Sequence, residues 1–160
     1  MCNLFVMDMQ KELLQLMISQ NQMTCSYSFD RITADNAALR LTDSAASIGF
    51  IYRHVAECIH LFCGFFNEPP NVQNTTIGKT DEGQGRNIHE SRRLIDEGFA
   101  KLQRLIETRP DDYWLGDVET PFFGTTRRIR LFAHVLFHNS HHAGQISLTL
   151  ARGSRYDAPE

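Results

Sequence analysis

The sequence predicts an all-α fold: a four-helix bundle with long connections and a short hairpin-like segment before the last helix. Three observations carry this. Apolar residues recur at three- and four-residue steps in four separate stretches, the period of one face of a helix. Clusters of Pro, Gly, Asn and Thr punctuate the chain between those stretches. The 160 residues, 42% hydrophobic, suffice for one buried core, so residues 1–160 read as a single domain.

The first helix is expected from about Met7 to Gln22, with Leu13, Leu14 and Met17 among its apolar positions. Met23 to Thr42 holds no lasting period and reads as loop, with a short helical turn around Ala34 to Leu39. Asp43 or Ser44 is placed to cap the second helix by accepting from free N–H groups of its first turn. Ile48, Ile51, Val55, Ile59, Phe62 and Phe66 then form an amphipathic stripe suited to a bundle core. Asn67 to Gly85 is a long loop, well beyond the two to eight residues usual between bundle helices. Asn87 followed by Glu90 resembles a capping box for the third helix, whose buried stripe is Leu94, Ile95, Phe99, Leu102 and Ile106. Arg109-Pro110 ends that helix, because proline disfavours helix in the residue before it. Asp111 to Gly124 reads as a hairpin-like connection, and Thr125 or Thr126 as the cap of the fourth helix. The tail after Arg152-Gly153 reads as a frayed end.

The fourth helix carries the chemistry. Four of the chain's seven histidines, His134, His138, His141 and His142, fall within nine residues. Residues four apart on a helix lie one turn above another, so His134, His138 and His142 form one stripe, with Gln145 near its line and His141 on its flank. Imidazoles one turn apart can act together on a divalent ion such as zinc or nickel. A lone pair of this spacing is as readily a core-satisfied or exposed cluster; a third histidine in register favours metal. A zinc-protease helix reads H-E-x-x-H, and Asn139 stands where that glutamate would be, so this reading fails. His54 borders the apolar stripe of the second helix, and spacing alone makes it a hydrogen-bonded core residue.

Two segments change that assignment. His138-Asn-Ser-His-His142-Ala-Gly-Gln145 resembles the H-x-x-x-H-[R/A]-G-Q signature of the DinB/YfiT-like family of metal-binding four-helix bundles. Ser47-Ile-Gly-Phe-Ile-Tyr-Arg-His54-Val-Ala-Glu57 resembles the second-helix segment from which that family supplies a third histidine. The resemblance runs from about Asp8 to Gly153 and implies His54, His138 and His142 as ligands of a divalent ion, zinc or nickel foremost, with manganese or iron as further candidates. Ala143 departs from the arginine many relatives carry there. Relatives include thiol-S-transferases and thiol-dependent isomerases, and are often homodimers. The resemblance therefore implies a small-molecule substrate such as a low-molecular-weight thiol.

Three neutral imidazoles leave a tetrahedral ion one open position, the arrangement of a catalytic metal. Glu57 and Gln145 are the candidates for orienting an imidazole or a bound water. His134 is a further donor or a fourth ligand, His60 a packing or surface residue, and His89 an exposed one. Metal-assisted hydrolysis needs the same open position as thiol transfer. The alternative outside enzymes is a non-catalytic metal-binding stress-response or sensor protein. Net charge −3 and a pI near 6.1 leave no electrostatic footprint for nucleic acid. The sequence lacks an apolar run of about 18 residues or a signal-peptide pattern, so the expected location is cytoplasmic, without membrane partners. Cys2, Cys25, Cys58 and Cys63 show no C-x-x-C spacing and are read as reduced, Cys58 as a small core residue.

Overall fold

The computed structural model describes residues 9–156. Four long helices, α1 (Met9–Phe29), α2 (Ile48–Phe65), α3 (Ile88–Thr108) and α5 (Arg128–Arg152), pack as a bundle. A single turn of helix, α4 (Asp111–Leu115), and a hairpin of β1 (Asp117–Thr120) and β2 (Gly124–Arg127) stand between α3 and α5. α2 packs on α3 and α5, and α1 packs on the same two helices, so α1 and α2 occupy opposite corners. Crossing that diagonal is what the long connection from 30 to 47 does. None of these helices is long and apolar enough to cross a membrane.

Helix α1 outruns its expected end at Gln22 by seven residues. Its buried line is Leu14, Ile18, Asn21, Cys25, Ser28 and Phe29, whereas Leu13 and Met17 face outward. Two polar residues on the buried face broke the apolar period that would have revealed the extension. The expected start at Met7 lies outside the described residues. Asn21 is buried and donates to the Leu136 carbonyl at 2.8 Å and to Ser140 Oγ at 2.9 Å. Asn139, also buried, donates to Asn21 Oδ1 at 3.2 Å. These bonds fix the rotation of α5 against α1, because a buried polar pair has few alternative registers in an apolar seam.

The cap of α2 is Ser47, not Asp43 or Ser44: its Oγ accepts from Phe50 N–H, while Asp81 Oδ2 accepts from Ser47 N–H at 2.7 Å. Asp81 comes from the distant 66–87 loop, a contact no local pattern reveals. Asn87 caps α3 as expected, accepting from Glu90 N–H. The Glu90 side chain does not return to complete a box; it pairs with Arg53 at 3.1 Å. Thr125 and Thr126 do not cap α5 but lie in β2, paired with Glu119 and Val118. Their backbone is committed to the strand ladder, so α5 starts at Arg128 without a side-chain cap. The tail is tied down as far as Arg155: Arg40 and Ser154 exchange both backbone hydrogen bonds, and Arg155 donates to the Asp35 carbonyl.

Cys25, Cys58 and Cys63 are free and buried; Cys2 lies outside the described residues. The stripes expected on α2 and α3 are buried except Ile51, which is only half-buried.

Asn21→Ala removes both donations to α5 and strands the Asn139 amide. Urea unfolding of the metal-free protein is expected to show a loss of about 2 kcal/mol. An unchanged midpoint would mean that apolar packing alone sets the rotation of α5.

Candidate metal centre

The rotation fixed by Asn21 and Asn139 turns the opposite side of α5 toward α2. His138 and His142, one turn apart, there meet His54 of α2 across the helix seam. His138 Nε2 lies 3.3 Å from His54 Nε2 and 3.1 Å from His142 Nε2. One ligand atom from each residue falls within 4.8 Å of the other two, and all three residues are half-buried. A tetrahedral ion with metal–nitrogen bonds of about 2.0–2.1 Å needs nitrogens about 3.3 Å apart. The three imidazoles can therefore hold a metal ion.

The protons on these rings follow from their outer neighbours. Glu57 is buried in a shell of donors: Arg53 Nε at 2.7 Å and Thr75 Oγ1 at 2.6 Å to Oε1, with Thr75 N–H, Thr76 N–H and Thr76 Oγ1 to Oε2. Burial pushes its carboxyl up, but the bonds from Arg53, Thr75 and Thr76 outweigh burial and hold it below the usual range. Thr76 spends its one hydroxyl proton on Glu57 at 2.6 Å, so toward His54 Nδ1 at 3.4 Å it acts as acceptor. His142 Nδ1 likewise donates to Gln145 Oε1 at 2.7 Å. Both rings thus carry their proton on Nδ1 and aim a bare Nε2 at the cluster. His138 Nε2, near both, has at most one proton for two lone pairs. A cation at the convergence satisfies all three.

The same crowding keeps the rings neutral, as ligation requires. Burial, then the neighbouring His142 and His54, lowers His138 to about 3. Burial lowers His142 to about 4 against the pull of Gln145, and burial also lowers His54.

The remaining candidates separate cleanly. Glu57 sits one hydroxyl away from His54, with Thr76 as intermediary. Gln145 contacts His142 directly. His134 stands outside the ligand group, its ring 6.2 Å from that of His138 and packed against Phe62 and Phe123. His141 stacks on the exposed Phe137. His60 is buried and bonds the Leu94 carbonyl through Nε2 at 2.9 Å, a packing role, and His89 is exposed. Cys58 Sγ lies 3.5 Å from His54 Nε2 but also stands outside the ligand group; burial pushes its thiol up to about 12.

Thr76 is the residue that sequence reasoning missed. Its loop is folded by Asn74, whose Oδ1 accepts from Thr76 N–H and Ile77 N–H. The loop's far end presses on α2 at Gly49 and Gly85, where a Cβ on either would meet the other's carbonyl oxygen at 2.6 Å or less. A cavity of about 450 Å³ opens beside His54 and His142, walled in part by Phe50, Ile51 and Leu148. A second, of about 680 Å³ around Arg40, Asp81 and Arg86, shares no lining residue with it.

The sequence matches the DinB superfamily over residues 17–146, which take in all three histidines. The chain belongs to the DinB superfamily. In fold it is similar to a conserved protein of Enterococcus faecalis known from a crystal structure, with a TM-score of 0.64. The likeness covers 86% of this chain and 93% of that one at 10% identity, and so bears on the fold alone. No curated protein matches the sequence. In this DinB-superfamily chain Ala143, within the signature segment, is buried in the core.

Thr76→Val keeps the shape and removes the hydroxyl between Glu57 and His54. Metal affinity, measured by competition with a chromophoric chelator, is expected to fall about tenfold while the stoichiometry holds at one. Unchanged affinity would show that the hydroxyl does not orient His54.

Proposed function

We propose that this protein is an enzyme dependent on a divalent metal, zinc or nickel, held by His54, His138 and His142, and that it activates a low-molecular-weight thiol for transfer to an electrophile. The convergence of three neutral Nε2 atoms beside an open cavity carries the reading. A divalent ion bound there supplies a Lewis acid whose charge no ligand cancels, which makes a thiol nucleophilic near neutral pH.

The chain's residues do the positioning. Gln145 and Thr76 hold the rings of His142 and His54 with their Nε2 lone pairs inward, and Glu57 holds Thr76. The family resemblance, through the thiol-S-transferases among the relatives, supports a thiol over water as nucleophile. Among the described residues the ligand group contains no carboxylate, and both oxygens of Glu57 are already engaged by donors. A three-histidine centre also acidifies a bound water, but a thiol, with its pKa near 8.5, ionises with less help. In the transfer, the sulfur forms a bond to the electrophilic carbon as the bond to the leaving group breaks. The leaving group takes the electron pair, and the thiol proton goes to solvent.

Protein prepared without an affinity tag is expected to carry one zinc or nickel per chain. His54→Ala, His138→Ala and His142→Ala should each lose it, whereas His134→Ala and His141→Ala should retain it; elemental analysis reads the outcome. Loaded protein should consume an electrophile such as monobromobimane faster than the uncatalysed reaction with at least one of a panel of small thiols, lose that rate on chelation and regain it with metal. Ester or amide turnover without thiol would replace this reading by hydrolysis. Full metal with neither activity would favour storage or sensing.

A further inference from the structure

The cavity beside the histidines narrows what can bind there. Its walls come from three parts of the chain: Phe50 and Ile51 of α2, Leu148 of α5, and Leu41 with two alanines of the connection between α1 and α2. Among the described residues, no lysine, arginine, aspartate or glutamate lines it. Its polar floor is largely committed: Thr76 to Glu57 and His54, Gln145 Oε1 to His142, and Thr149 Oγ1 to the Gln145 carbonyl. Leu41 and Leu148 remain 39% and 49% exposed at its edge, so the apolar surface continues outward from the walls. A volume of about 450 Å³ is in the range of small-molecule sites.

We infer that this cavity receives an uncharged, apolar group, aromatic or branched aliphatic, of the substrate, and that it discriminates against a carboxylate carried on that group. A carboxylate held among Phe50, Ile51 and Leu148, away from His54 and His142, would lose hydration and meet no lysine or arginine there, a cost that apolar contact does not recover. A benzyl-sized group instead meets Phe50, Ile51 and Leu148 while its reactive end points at the histidines. Calling the occupant a substrate rests on the metal-enzyme reading; the preference for uncharged ligands stands on the lining alone.

The test uses matched probes differing by one carboxylate. Benzyl mercaptan and 4-(mercaptomethyl)benzoate are titrated into metal-loaded protein by calorimetry. Benzyl alcohol and 4-(hydroxymethyl)benzoate are titrated into metal-free protein, observed through the methyl resonances of Ile51 and Leu148. The uncharged member of each pair is expected to bind at least about tenfold more tightly, with the methyls of both residues shifting. Leu148→Arg, at an exposed edge position that leaves the histidines intact, should narrow or reverse the gap in both pairs. Equal affinities, tighter binding of the carboxylates, or unmoved methyls would overturn the inference. If the protein retains no metal and the alcohol pair still shows the preference, the inference stands and the metal-enzyme reading falls.

Discussion

Three imidazoles from two helices have to meet at one point, and most of the bundle's polar architecture serves that meeting. Histidines one turn apart on α5 are close by helical geometry alone. His54 reaches them only if α2 and α5 hold one relative rotation and one vertical register. The apolar core contributes Leu131, Phe132, Val135 and Ile146 of α5 to this packing, but hydrophobic attraction is non-directional and does not by itself single out one register. The buried pairing of Asn21 with Leu136, Ser140 and Asn139 narrows the choice from the opposite face of α5. Burial at the seam then disfavours protonation of the rings, so what converges is a set of lone pairs and not a set of charges.

The long connection between α2 and α3 belongs to the same machinery. Glu57, buried on α2, is satisfied by Arg53 from its own helix and by Thr75 and Thr76 from the loop. A buried carboxylate with fewer donors would weaken the fold, so loop and helix stabilise each other. Through Thr76 this arrangement also fixes the tautomer of His54. The loop's other end is held where Gly49 and Gly85 allow backbone to touch backbone, and where Asp81 takes up Arg40 and the N–H of Ser47. A single connection therefore anchors the start of α2, satisfies its buried charge and orients the His54 ring that faces the other two histidines.

How far this was legible in the sequence depended on the distance between partners. His138, His142 and Gln145 lie on one helix, where period alone makes them neighbours, and their contacts match that geometry. The helical stripes of α2 and α3 followed for the same reason. His54 was ambiguous from spacing, because a histidine bordering an apolar stripe looks the same whether it bonds a carbonyl, as His60 does, or faces other histidines; the family resemblance decided it. Thr76 was illegible: its partners lie 19 and 22 residues back, and a threonine in a polar loop has no distinguishing pattern. The end of α1 was hidden because Asn21 and Ser28 occupy core positions. The caps of α2 and α5 were misassigned because several hydroxyl-bearing or acidic residues preceded each helix, and tertiary contacts, Asp81 in one case and strand pairing in the other, chose among the alternatives.

The proposed chemistry requires one ion held by three imidazole nitrogens. X-ray absorption at the metal edge of tag-free protein tests this most directly. The expected spectrum fits three imidazole nitrogens at about 2.0–2.1 Å with one further light-atom or added-thiol scatterer. A protein-only sample whose first shell contains sulfur, as ligation by Cys58 would give, or whose fit allows fewer than two imidazoles, would contradict it.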